Sequence, residues 1–139
     1  QAGRFQDAVE AYRRSIELSA SVASVQFDLA WLLATCPDYS IRDGARAVEL
    51  AEPGLRSTGL DSIQGEDVLA AALAEAGRLD DAVRAAENAL RLLRQEKRQD
   101  AANGSTNSGG TDLETALQAR LTAYRNGQAF RETGRMAPE

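Results

Sequence analysis

Apolar residues recur along this chain at the spacing of one helix face, in six successive stretches. Residues 4–19 carry Phe5, Ala8, Val9, Tyr12 and Ile16, which predicts an amphipathic helix. Residues 22–35 carry Val22, Val25, Leu29, Leu32 and Leu33 and predict a second. Cys36-Pro37-Asp38 ends it, because the residue before a proline is pushed out of helical geometry. A loop follows to about Asp43. The third helix starts near Gly44 with Ala47, Val48, Ala51 and Leu55 inward. Pro53 lies inside that pattern; its missing N–H and its ring cost ~3 kcal/mol in a straight helix, so a break or bend is expected there, aided by Gly54. Ser57-Thr58-Gly59 closes the unit. Val68, Leu69, Ala72 and Leu73 define a fourth helix over 63–76, and Gly77 makes the next turn. Asp80-Asp81 put negative charge in the first turn of a fifth helix, where the dipole favours it. That helix is expected to run to about Gln99.

Residues 99–111 are rich in Gly, Ser, Asn and Ala and predict a flexible linker. Thr111-Asp112-Leu113-Glu114 has the form of a capping box for a sixth helix over 112–127. Its stripe is Leu113, Ala116, Leu117, Leu121 and Tyr124, and Asn126-Gly127 supplies a stop. Residues 128–139 are expected to fray. A helix this short and apolar is marginal alone and must dock. The linker reaches ~20 Å as a flexible coil, enough to return onto helices four and five. Docking on a second copy would give a homodimer by helix swapping.

The pattern is also self-similar. Ala2-Gly3-Arg4-Phe5-Gln6-Asp7-Ala8-Val9 returns as Ala76-Gly77-Arg78-Leu79-Asp80-Asp81-Ala82-Val83, with a looser copy at Arg42-Asp43-Gly44-Ala45-Arg46-Ala47-Val48. Ala8 to Ala47 is 39 residues and Ala47 to Ala82 is 35, the interval of a helical repeat. Sparse β-branched residues and abundant Ala argue for an all-α chain. A net charge of -5 argues against general nucleic-acid binding. The chain has no His, the commonest general base and metal ligand, and Cys36 is its only Cys. Neither an internal disulfide nor a CxxC metal site can form, and the compartment is left open. No catalytic triad, phosphate loop, cofactor motif or metal motif is recognisable. No apolar run approaches the ~20 residues of a membrane helix. Position 1 falls inside a repeat, so the chain is read as a fragment of a longer protein.

These helix pairs resemble tetratricopeptide repeats. The third copy supplies Leu69-Ala70, Leu73, Gly77, Leu79, Ala82, Ala86 and Ala89-Leu90; the middle one Leu29-Ala30, Leu33, Ala47 and Ala51; the first only Gly3, Phe5, Ala8, Tyr12 and Ile16 of a second helix. Gln26 and Glu66 stand at the family's Trp position, and Ala20, Gly59 and Arg94 at its closing Pro. The stretch Leu29 to Asp38, with Arg42-Asp43-Gly44 and Ala47 to Ala51, also resembles a bacterial subgroup found at the C-terminal end of larger proteins. The resemblance implies a solenoid of tetratricopeptide-type helical hairpins, an α-α superhelix, over residues 1–98. Its first repeat lacks helix A, and a C-terminal helix caps it. It further implies a concave groove, lined by the first helix of each pair, that holds a peptide.

Phe27 and Trp31, one turn apart, are candidate anchors in that groove, against the alternative of ordinary helix packing. Gln64, Asp67, Ala71 and Glu75 project from the next such helix, with Asp28 beside them, unless this is simply a solvated face. The set lacks the Lys, Asn and Arg that clamp a terminal carboxylate in some relatives, so a basic or apolar peptide is the expected partner. Arg91, Arg94, Lys97 and Arg98 cluster late in helix five, where they complement the helix dipole or meet an acidic partner. Cys36 is expected to be a small buried filler. The expected function is non-enzymatic protein or peptide binding. The alternatives are a structural end-cap of a longer solenoid and an accessory domain of a multidomain enzyme.

Overall fold

A computed structural model describes residues 2–18, 23–57, 62–104 and 109–131. Among them the chain is all-α, with six helices: α1 (Ala2–Leu18), α2 (Ala23–Thr35), α3 (Gly44–Ser57), α4 (Ile63–Glu75), α5 (Leu79–Ala102) and α6 (Gly109–Arg125). Each packs on its successor, and α2 also packs directly on α4. One continuous core results. It takes Phe5 and Val9 from α1, Leu29 and Leu33 from α2, Ala47 and Ala51 from α3, Val68 and Leu73 from α4, Ala82 and Ala86 from α5, and Leu117 and Leu121 from α6. Ala8 and Leu69, expected to be buried, are half-buried against it. Val22 and the side chain of Ile16 lie outside the described residues.

Small residues set the helix spacing. A Cβ built on Gly44 would stand 2.5 Å from the backbone nitrogen of Ala76, so the start of α3 touches the end of α4 directly. Gly54 and Gly65 face the Phe27 ring: a Cβ on either would meet it at 2.7 and 3.0 Å. Phe27 therefore fills a socket whose walls are hydrogen atoms, and it is only 3% exposed. Burying a ring of that size contributes ~1.5–3 kcal/mol, which explains why two glycines are tolerated inside helices.

The loop between α2 and α3 is ordered by polar contacts. Arg42 donates from Nη1 to the Cys36 carbonyl at 2.8 Å, and the Asp43 N–H reaches back to the Leu33 carbonyl at 2.8 Å. Asp43 caps α3 by accepting from the Arg46 amide at 3.1 Å. Cys36 is buried here, and burial pushes its thiol pKa up, the opposite of an activated cysteine. At the α4–α5 turn Gly77 has φ 87°, and Arg78 N–H bonds to the Leu73 carbonyl at 2.8 Å. Gly127 ends α6 the same way, with φ 79° and a Gln128-to-Ala123 bond of 2.9 Å.

Several expectations need correction. Helix α3 does not end at Pro53 but continues to Ser57. Pro53 is exposed, so the carbonyl its ring leaves unbonded can turn to water, while Gly54 and Leu55 beyond it are buried. That burial offsets a proline cost of ~3 kcal/mol. The 99–111 linker is shorter than expected, because α5 extends to Ala102 and α6 begins at Gly109; residues 105–108 lie outside the described part. Alanine at 101 and 102 continues a helix at no cost. Thr111 consequently sits inside α6 rather than at its cap, and Glu114 is used elsewhere. Leu113 is 39% exposed and leaves the stripe, while Leu117, Leu121 and Tyr124 are buried. Residues 128–131 do not fray: Ala129 and Phe130 pack against the core, and residues 132–139 lie outside the described part.

Candidate functional site

A cleft of about 620 Å³ opens between α1, α2, α4 and α6. Its α2 wall is Phe27, Asp28, Trp31 and Leu32, successive positions on one helical face. Gln64, Asp67 and Val68 come from α4, and Arg4, Phe5, Ala8 and Tyr12 from α1. Arg120 of α6 completes the lining. Five of the seven sequence candidates, Phe27, Asp28, Trp31, Gln64 and Asp67, thus share one cavity. Ala71 and Glu75 do not line it. Ala71 is 1% exposed, inside the helix packing. Glu75, at the far end of α4, forms ion pairs with Arg42 at 3.5 Å and Arg131 at 2.7 Å. Phe27 is mainly a core residue that shows the cleft one edge, whereas Trp31 is half-buried.

The polar end of the cleft is a closed clasp. Arg120 donates to both Asp67 oxygens, from Nε at 2.9 Å and from Nη2 at 2.8 Å. The side chains are 13% and 16% exposed, dry enough for the pair to hold in salt. The same guanidinium lies 5.3 Å from the Trp31 ring and 5.1 Å from the Phe130 ring. The two rings are tilted by 42° with centroids 5.7 Å apart. A planar cation against two aromatic faces adds attraction that a lysine would supply less well. Behind the clasp Tyr124 is 1% exposed, and its hydroxyl has no hydrogen-bond partner among the described residues. Burial, with the Asp67 carboxylate nearby, pushes its pKa strongly up, so the phenol stays neutral.

The acidic face expected from Asp67 and Glu75 is therefore neutralised from within, by Arg120 and Arg131. Sequence reasoning missed both arginines, Phe130 and the α1 wall. A charge on a helix face reads as a solvated charge, and a lone aromatic in a polar stretch has no period to betray it. The basic cluster is also used differently. The last turn of α5 carries no basic residue, so the dipole reading does not hold for it. Instead Glu114 accepts from Arg94 at 3.0 Å and from Lys97 at 2.8 Å, across to α6. Both contacts hold the Glu114 carboxyl below its ordinary pKa. Glu66, beside the cleft-lining residues on α4, is buried, and desolvation raises its pKa against the pull of Arg91 and a hydrogen bond from Asn88.

Among the described residues no group of three or more His, Cys, Asp and Glu side chains could hold a metal ion. No described helix is long and apolar enough to cross a membrane. No protein-family model, curated protein or solved structure matches the chain.

Proposed function

We propose that this chain is a non-enzymatic, tetratricopeptide-type binding module that holds a peptide segment of a partner protein in the α1–α2–α4–α6 cleft. The observation that carries the reading is the cleft itself. It is a concave site of about 620 Å³ with Phe5, Tyr12 and Trp31 on its walls and Asp28 and Gln64 at its exposed rim. Aromatic walls with a few polar groups suit an apolar anchor and a short polar register. Because Asp67 is engaged by Arg120, the partner is expected to be mainly apolar, with a basic residue at most opposite Asp28. The order of helices, two hairpins preceded by a single helix and followed by a closing one, supports the solenoid reading. A structural end-cap is the second reading, favoured by the packing of α6 on α5 and of residues 129–130 on the core.

Trp31 is the only tryptophan, so its emission reports on the cleft alone. Titration with a library of short peptides bearing one aromatic or leucine anchor should yield binders that shift it. Trp31→Phe would silence the signal, so the decisive variant is Tyr12→Ala. It should weaken the selected peptide roughly tenfold, the loss of ~1.4 kcal/mol of anchor contact, with helical content unchanged. Equal binding by Tyr12→Ala, or no binder in the library, would favour the end-cap reading instead.

A further inference from the structure

Helices α5 and α6 run antiparallel along matched stripes, since Glu87 pairs with Arg125 while Arg94 and Lys97 pair with Glu114. Between them lies a second cleft of about 390 Å³. Leu90 and Leu121 are its buried floor. Four guanidinium groups, on Arg91, Arg94, Arg98 and Arg125, line it against the single carboxylate of Glu87. In a chain of net charge -5 this is a local reversal of sign.

The four arginines divide into two kinds. Arg125 and Arg94 are used across the seam, at 2.7 Å from Glu87 and 3.0 Å from Glu114, so both already have a carboxylate partner. Arg91 and Arg98 are exposed, and among the described residues neither makes an ion pair, although Arg91 acts on Glu66 at longer range. They lie two helical turns apart on one face of α5, ~10.5 Å along the axis. Two exposed guanidinium groups at fixed separation above a polar cleft form a receptor for two carboxylates.

We propose that the α5–α6 cleft docks an acidic segment of a partner protein, with Arg91 and Arg98 each taking one carboxylate. Side chains three residues apart on an extended polyproline-like strand share an edge and are ~9 Å apart, which matches the arginine spacing within side-chain reach. A polypeptide fits better than a nucleic acid. The cations are few, Glu87 stands among them and Glu114 already engages Arg94, and the net negative charge repels a continuous phosphate backbone. This surface is separate from the Trp31 cleft, so its occupancy does not depend on the function proposed there.

The test uses the full chain and a short labelled peptide with glutamate at every third position, followed by fluorescence anisotropy at low salt. The peptide should bind, its glutamine counterpart should not, and affinity should fall as salt is raised. The double variant Arg91→Gln, Arg98→Gln should bind about tenfold or more weakly, because two charge-assisted contacts are lost. Its helical content should match the parent, since neither arginine makes an ion pair with a described residue. Tyr12→Ala should leave this binding unchanged. No binding of the glutamate peptide, equal binding by the double variant, or tighter binding of an oligothymidylate than of the peptide would overturn the proposal. So would competition by inorganic phosphate at equal molarity.

Discussion

Helices α4 and α5 meet through small residues, whereas α6 joins α5 through large ones. On α4 the buried positions include Ala70, Ala71, Ala72 and Ala74; on α5 they include Ala82, Ala85, Ala86 and Ala89. Among its described side chains, helix α6 buries only Leu117, Leu121 and Tyr124 in the core. It is otherwise held by long charged side chains: Arg120 to Asp67, Arg125 to Glu87, and Glu114 to Arg94 and Lys97. The first kind of seam depends on close backbone approach and many dispersion contacts, with buried Glu66 its one titrating group of shifted pKa. The second depends on a few side chains and a few charges. The central hairpins should therefore unfold together, while α6 and residues 129–131 can be loosened separately.

The largest effect should come from the first kind of packing. Phe27→Ala empties the socket between Gly54 and Gly65, two residues with no side chain to fill it. We expect a loss of ~3–5 kcal/mol, visible as a lower midpoint for every helix together in denaturant melts. A loss confined to one helix would show that the hairpins do not share one core.

An intermediate effect should come from Arg120→Ala. It removes a two-pronged carboxylate contact and the cation over two rings, a loss of ~1–3 kcal/mol. Hydrogen exchange should rise in α6 and at residues 128–131 and stay low in α4 and α5. Arg120→Lys should restore only part of it, because lysine lacks the planar fork. Uniform acceleration along the chain would erase the distinction between the two seams.

The smallest effect is a pH dependence. The folded pKa of Glu114 is depressed by its bonds to Lys97 and Arg94. Its contribution is therefore fully present above the unfolded carboxylate pKa and is lost as pH falls through the folded value. Glu114→Gln should thus be less stable than the parent at neutral pH, and the two should converge in acid. A gap that stays constant down to low pH would mean that the carboxylate is not coupled to folding. Glu66 should act in the opposite sense: its pKa is raised, so its ionisation costs stability as pH rises through the folded value.

The periodic stripes made the helices legible, since apolar positions such as Leu29, Leu33, Ala47 and Leu73 admit only one face. The turn at Gly77 and the stop at Gly127 were legible because each needs positive φ. The join between α5 and α6 was not, because alanine and glycine there serve helix and linker alike. Continuation through Pro53 depends on burial of Leu55 two residues later, which no local rule weighs. Part of the candidate cleft was legible as well: Phe27, Asp28, Trp31, Gln64 and Asp67 follow from helical phase on α2 and α4. Glu75 follows the same phase, yet an extra turn carries it to Arg42 and Arg131. Arg120 was hidden because its partner lies 53 residues away in sequence.

Helix α6 and the residues after it hold Arg120 and Phe130 against Trp31 within the same chain. Collisional quenching of Trp31 by acrylamide tests it directly, comparing the full chain with one ending at residue 104. The full chain should show a low quenching constant that does not change with protein concentration, and truncation should raise it clearly as Arg120 and Phe130 leave the ring. Equal quenching of the two chains, or protection that vanishes on dilution of the full chain, would contradict it.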